Sequence, residues 1–276
     1  MMTIFKSGNP EALKPYIGEE LQQRIHSARH ICALLPDNAY YLTFFWRDVK
    51  NSKKDEERQH FYCSQERLIY LGESTRCISI LKEMPQEWDP FYQLSELFFQ
   101  LTADDLDTLQ RFENSISELE TGLLETQKPV EGAVSRIIEM RRELLKIKRY
   151  YEQLQTIIDR LAENENGIIP KESSHRFDVL SKRIESLKKF VLDLREFLTQ
   201  TREAYQSKID IEQNQIMKVF TVLTAVFLPL TLIVGWFGMN VKMPEYGWTY
   251  GYPYVIVLSI VVCGICGWIF KKKKWF

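Results

Sequence analysis

The sequence holds no glycine-rich phosphate loop of the Gly-x-x-x-x-Gly-Lys-Ser/Thr kind, which removes the usual means of harnessing ATP. An excess of either charge is also missing: 36 basic and 37 acidic side chains leave a formal net charge of −1 at pH 7. No Lys/Arg cluster alternates with aromatics, so nucleic acid is not an expected partner. Cysteine is scarce, at five residues, and Cys32, Cys63 and Cys77 show no paired spacing. In the cytosol they read as reduced core thiols. The opening Met1–Lys6 lacks the apolar core of a secretory signal, which leaves the N-terminal region cytosolic. No catalytic constellation is found, and the chain reads as a protein other than an enzyme.

Two further absences locate the architecture. From Val219 to Met239 there is no charged side chain, and such a run spans roughly 30 Å as a helix, the thickness of a bilayer's hydrocarbon core. Residues 216–240 therefore read as a first membrane helix and the uncharged residues 252–270 as a second. An external loop, 241–251, joins them, and a basic cytosolic tail, 271–276, follows. Lys208 and Lys218 before the first span, and Lys271 to Lys274 after the second, outweigh the loop's Lys242 and Glu245, so both termini face the cytosol. The tail lysines suit anionic lipid, with Trp275 and Phe276 at the headgroup layer. The chain is thus expected in the inner cell membrane as a multi-pass protein.

The second absence is of proline and glycine between Lys171 and Pro229. Phe177, Leu180, Ile184, Leu187, Val191, Leu194 and Leu198 keep a heptad stripe there. A stalk helix, 170–215, should run unbroken into the first span. Upstream, residues 101–165 read as a helical hairpin, with apolar stripes from Leu109 to Leu123 and from Val130 to Leu161, interrupted at Lys128-Pro129. Asn164-Glu-Asn-Gly167 and Pro170 end it, and Ser173 or Ser174 can cap the stalk. Residues 1–100 read as a small α/β module: a helix at 11–29, strands at 31–35, 40–47, 61–72 and 77–81, and a loop at 51–59. The fold class expected is an α+β cytosolic domain with long helices, continuing into a two-helix C-terminal transmembrane hairpin.

Several residues invite a chemical reading. His26 and His30 stand one helical turn apart with Cys32 beyond, but no third ligand completes a metal pattern. Asp104, Asp105 and Asp107 open a helix, where acids suit the macrodipole. Cys263-Gly-Ile-Cys266 has redox spacing but lies in the second span without a basic neighbour, so it reads as packing. Pro229 reads as a kink. Small or polar residues recur along the first span: Asn214, Thr221 or Thr224, Thr231, Gly235 and Gly238, with Met217, Phe220 and Leu228 on the same line. Such a stripe fits either close helix packing or a pore lining.

The residues ending that span favour the pore. Phe237-Gly238-Met239-Asn240, then Met243-Pro244-Glu245, resembles the signature of the CorA family of divalent-cation transporters. Asn214-Gln-Ile-Met-Lys-Val219, Phe227-Leu-Pro-Leu-Thr231 and the terminal lysines resemble it too, and the close match covers roughly residues 205–276. A related zinc branch resembles Gly-Val-Asn more than Gly-Met-Asn, so Met239 favours Mg²⁺, with Co²⁺ and Ni²⁺ beside it. A membrane-anchored coiled-coil scaffold is the alternative of a different class.

The resemblance implies a homopentamer in which first spans line the pore and second spans surround it. Gly238, Met239 and Asn240 would form the selectivity filter. Mg²⁺ sheds its water reluctantly, so neutral amide oxygens of Asn240 touching a hydrated ion suit it better than a carboxylate cage. Glu245 would concentrate cations at the mouth. The pore lining would be Asn214, Met217, Phe220, Thr224, Leu228, Thr231 and Gly235. Cytosolic Mg²⁺ bound between neighbouring domains would hold the pore shut, with Glu203 as a regulatory ligand. No cofactor is expected, and Mg²⁺ enters as cargo and regulator.

Overall fold

A computed structural model describes residues 2–5, 30–51, 56–125, 132–239, 247 and 249–272. The helix expected at 11–29 with His26, the Lys128-Pro129 break, Asn240 to Glu245 and the tail 273–276 lie outside the described residues. The chain divides into two compact units, 1–202 and 203–276.

In the first unit, β1 (Met2–Phe5), β2 (Ile31–Leu34), β3 (Tyr40–Trp46), β4 (Glu57–Cys63) and β5 (Leu68–Leu71) form one sheet in the order β1-β5-β4-β3-β2. The β1–β5 pair is parallel and the others antiparallel. Helices follow: α1 (Thr75–Glu83), α2 (Pro90–Leu101), α3 (Asp105–Glu125), α4 (Ala133–Glu163), α5 (Lys171–Phe237) and α6 (Gly251–Lys272).

Both sheet faces are covered, which is why β3 reads as a near-continuous apolar run. On one face Phe44 stacks on Phe61 at 5.9 Å and meets Phe98 of α2 at 5.4 Å, while Phe61 meets Tyr70 at 5.0 Å. On the other, Tyr41, Tyr62, Ile69 and Leu71 join Ile31, Leu35 and Ala39 in a second cluster. Pairing of β2 with β3 stops at Thr43, and α4 continues the edge. Gln153 donates to the Phe45 carbonyl at 2.6 Å and accepts from the Phe45 N–H at 3.1 Å. A buried side-chain amide thus continues the edge of the ladder through two hydrogen bonds to Phe45.

Four sequence expectations need correction here. Residues 77–81 are helical, inside α1, and not a strand. Their β-branched content suggested a strand, but Cys77, Ile78 and Leu81 are buried at helical spacing and the Ser74 hydroxyl caps the helix by accepting from the Cys77 N–H. Residues 61–72 are two strands, because Ser64 to Arg67 make a hairpin turn closed by Ser64 N–H to the Arg67 carbonyl at 2.9 Å. The supposed loop at 51–59 yields its last three residues to β4, where the ladder pairs Glu57 with Trp46. Neither Ser173 nor Ser174 caps α5. The helix starts before them, and their hydroxyls bond to Asp89 at 3.0 Å and to the Ala162 carbonyl at 3.4 Å.

Helix α2 went unread in the sequence, although Asp89-Pro90 announces it: Asp89 accepts from the Tyr92 N–H at 3.0 Å and proline occupies the first turn. The same Asp89 carboxylate receives Ser173 of α5. Further along α5, Arg183 donates to the carbonyls of Thr102 and Ala103 at 2.9 and 3.1 Å, satisfying the C-terminal end of α2. Arg176 lies 4.1 Å over the Tyr92 ring and bonds Ser95 and Glu96. Helices α3 and α4 run antiparallel: Tyr151 of α4 reaches Asp105 at the start of α3, at 2.9 Å.

Candidate functional site: the α5 terminus

The second unit consists of the last part of α5 and of α6. Two stretches, within α5 (Lys171–Phe237) and in α6 (Gly251–Lys272), are long and apolar enough to cross a membrane, with mean hydropathy 2.2 and 2.3. Ala225, Pro229, Ile233 and Phe237 recur every four residues of α5 and are half-buried. They mark the side turned to α6, since Phe237 meets Tyr254 at 6.5 Å and the Cys266 Sγ lies 3.8 Å from the Ala225 carbonyl. Sequence reasoning assigned no residues to this contact, yet the four-residue recurrence was readable.

The expected pore stripe lies on the other side. Leu228 is two residues from the half-buried Val226 and Leu230, about 200° away around a helix, and is 70% exposed. Asn214, Met217, Phe220, Thr224, Thr231 and Gly235 are likewise exposed in the single chain. Thr221, Thr224 and Thr231 each donate to the carbonyl four residues back, at 2.7, 2.8 and 2.8 Å. Their hydrogens are therefore committed to the helix, and what each threonine offers outward is oxygen lone pairs, the right polarity for the water shell of a cation.

At the end of α5, the Gly238 N–H bonds the Val234 carbonyl at 2.9 Å. A Cβ at 238 would stand 2.8 Å from that same oxygen, so glycine is required by close approach. Gly235 has nothing within 4 Å of a built Cβ among the described residues. Met239 is 46% exposed. Asn240 and Glu245 lie outside the described residues, and Glu203 is an exposed side chain of α5.

Upstream, no group of three or more His, Cys, Asp and Glu able to hold a metal occurs among the described residues. Cys63 and Cys77 are buried free thiols, and burial pushes the Cys77 pKa up to about 12. Asp105 and Asp107 lie in the first turn of α3, as expected of acids there; Asp104 pairs with Lys50 at 2.7 Å, and Asp105 is buried against Tyr151.

Residues 19–272 match the family described as CorA-like Mg²⁺ transporter protein. The chain belongs to that family. It is 32% identical over 186 residues to the cobalt/magnesium transport protein CorA of Thermotoga maritima, covering 67% of this chain and 52% of that protein. With the magnesium transport protein CorA of Wolinella succinogenes it shares 26% identity over 245 residues, 86% of this chain and 76% of the relative. The complete structure of the CorA magnesium transporter from Methanocaldococcus jannaschii superposes with a TM-score of 0.75 at 20% identity, over 93% of this chain and 87% of that one. The α+β domain with long helices and a C-terminal pair of apolar helices is thus the CorA fold.

Proposed function

We propose that the chain is one subunit of a channel-like transporter that carries hydrated divalent cations into the cell through a homopentameric pore in the inner membrane. Mg²⁺ is the main cargo, with Co²⁺ beside it, as the names of the Thermotoga and Wolinella relatives suggest, and Ni²⁺ is added on the resemblance at Met239. The observation that carries the reading is the stripe from Asn214 to Gly235, exposed on the side of α5 away from α6 and leading into Gly238-Met239-Asn240. Two membrane helices cannot enclose a water-filled path, so several copies must share an axis, with α5 lining it and α6 outside.

Asn240 would touch the ion's water shell through its amide oxygen, with Gly238 holding the turn and Met239 behind it. A divalent ion entering down a 100 mV potential gains about 4.6 kcal/mol, twice the value for one charge, which suffices without ATP. Cytosolic Mg²⁺ acts as regulator, with Glu203 among its ligands. Both termini lie in the cytosol, and Lys272, 5.1 Å over the Trp268 ring, belongs at the lipid headgroup layer.

Mg²⁺ uptake into proteoliposomes carrying a trapped fluorescent indicator and an inside-negative potassium potential tests the proposal. The wild-type protein should load the vesicles. Asn240→Ala should lose at least tenfold in rate while assembling normally, and Glu245→Gln should lower uptake mainly at low ionic strength, because a screened field fades with salt. A wild-type protein that carries no divalent cation would leave the scaffold reading in its place.

A further inference from the structure

Along the contact of α4 with α5, within the first unit, a groove of about 520 Å³ is lined by Arg141 of α4 and by Arg195 and Arg202 of α5. Ile137 and Leu198 form its buried floor, and Leu192 is a 40% exposed apolar wall. The Nε of Arg195 is sealed from solvent and donates to no acceptor among the described residues. None of the three guanidinium groups has a carboxylate within ion-pair distance among the described residues. Asp193 and Glu196 also border the groove, so three basic and two acidic side chains leave it with a net positive charge; Glu196 accepts from the Gln200 side chain at 3.2 Å.

The solvent-facing nitrogens of three arginines along one groove match the oxygens of phosphate through paired N–H donors. Size narrows the class. Arg195 and Arg202 are two helical turns apart, about 10 Å of backbone rise, a spacing that suits a chain of phosphates. The volume falls within the range of small-molecule sites, roughly 300–1,000 Å³. The geometry points to a binding site for a polyphosphate anion of nucleoside-triphosphate size, its phosphate chain along Arg195, Arg202 and Arg141 and its apolar part against Leu192. This site is separate from the pore and uses none of its residues.

The test is equilibrium binding of ATP and of inorganic phosphate, each with and without Mg²⁺, to the full-length oligomer in nanodiscs at 150 mM salt. ATP should bind saturably and at least tenfold more tightly than phosphate. Arg195→Gln and, on an exposed position, Arg202→Gln should each weaken ATP at least tenfold, while Arg195→Lys restores part of the affinity. Oligomer mass should stay unchanged in all three. No saturable ATP binding by the wild-type protein, or equal affinity in both glutamine variants, overturns the proposal. So does a loss of oligomer in those variants without ATP binding in the wild type, because the arginines would then serve carboxylates of a neighbouring copy.

Discussion

Asp105 opens α3 with its carboxylate buried, accepting the Tyr151 hydroxyl, with Asp104 and Asp48 nearby and Arg183 opposing them. Burial is the largest influence and pushes its pKa from 3.8 up to about 6. A carboxyl with a raised folded pKa binds its proton more readily in the fold, so its contribution is best below pH about 4 and declines as the pH rises to about 6. The loss at neutral pH is on the order of 3 kcal/mol. Asp105→Asn keeps an acceptor for Tyr151 without the charge. It should raise the apparent melting temperature at pH 7 by several degrees and flatten the profile between pH 4 and 6. Melting curves of wild type and variant that stay parallel across that range would remove the assignment.

At the scale of the element, α5 changes what it presents along its length. Phe177, Leu180, Ile184, Leu187, Val191, Leu194 and Leu198 are buried against the first unit. From Met217 onward the only sheltered side is the one facing α6, and the opposite side carries Met217, Phe220 and Leu228. Rings of such side chains around an axis close a pore by excluding water. Leu228→Ser and Phe220→Ser should therefore raise the leak of Mg²⁺ severalfold at high internal Mg²⁺, read as proteoliposome flux. Unchanged flux with a lower melting temperature would mean that this side packs against neighbouring helices.

For the whole molecule, the continuity of α5 is the central physical fact. A 67-residue helix runs from Lys171 to Phe237, so a force on its first part has a covalent and hydrogen-bonded path into the apolar stretch. Arg176 and Arg183 fasten its beginning to α2. Glu203 stands exposed at the start of the second unit, ahead of the apolar stretch of α5, and is the residue proposed to read cytosolic Mg²⁺. Glu203→Ala should shift inhibition by internal Mg²⁺ to concentrations at least threefold higher, measured as flux against internal Mg²⁺. Identical inhibition curves would retire Glu203 as a ligand.

The periodicity of the chain alone determined the long helices, because a stripe at three- and four-residue steps with no proline or glycine leaves one regular structure available. It also determined the two stretches long and apolar enough to cross a membrane, since charge is excluded from hydrocarbon. Mixed signals misled where burial competed with propensity, as at Cys77 to Leu81, whose β-branched residues sit in a helix fixed by its Ser74 cap. What only the tertiary structure decided are the contacts between residues far apart in the chain. Gln153 continues the ladder beside Phe45, Asp89 joins α2 to α5 through Ser173, and Arg141 and Arg195 line one groove. Each depends on the register in which separate elements pack, and no local pattern encodes that register, because it is set by the fit of whole faces against one another.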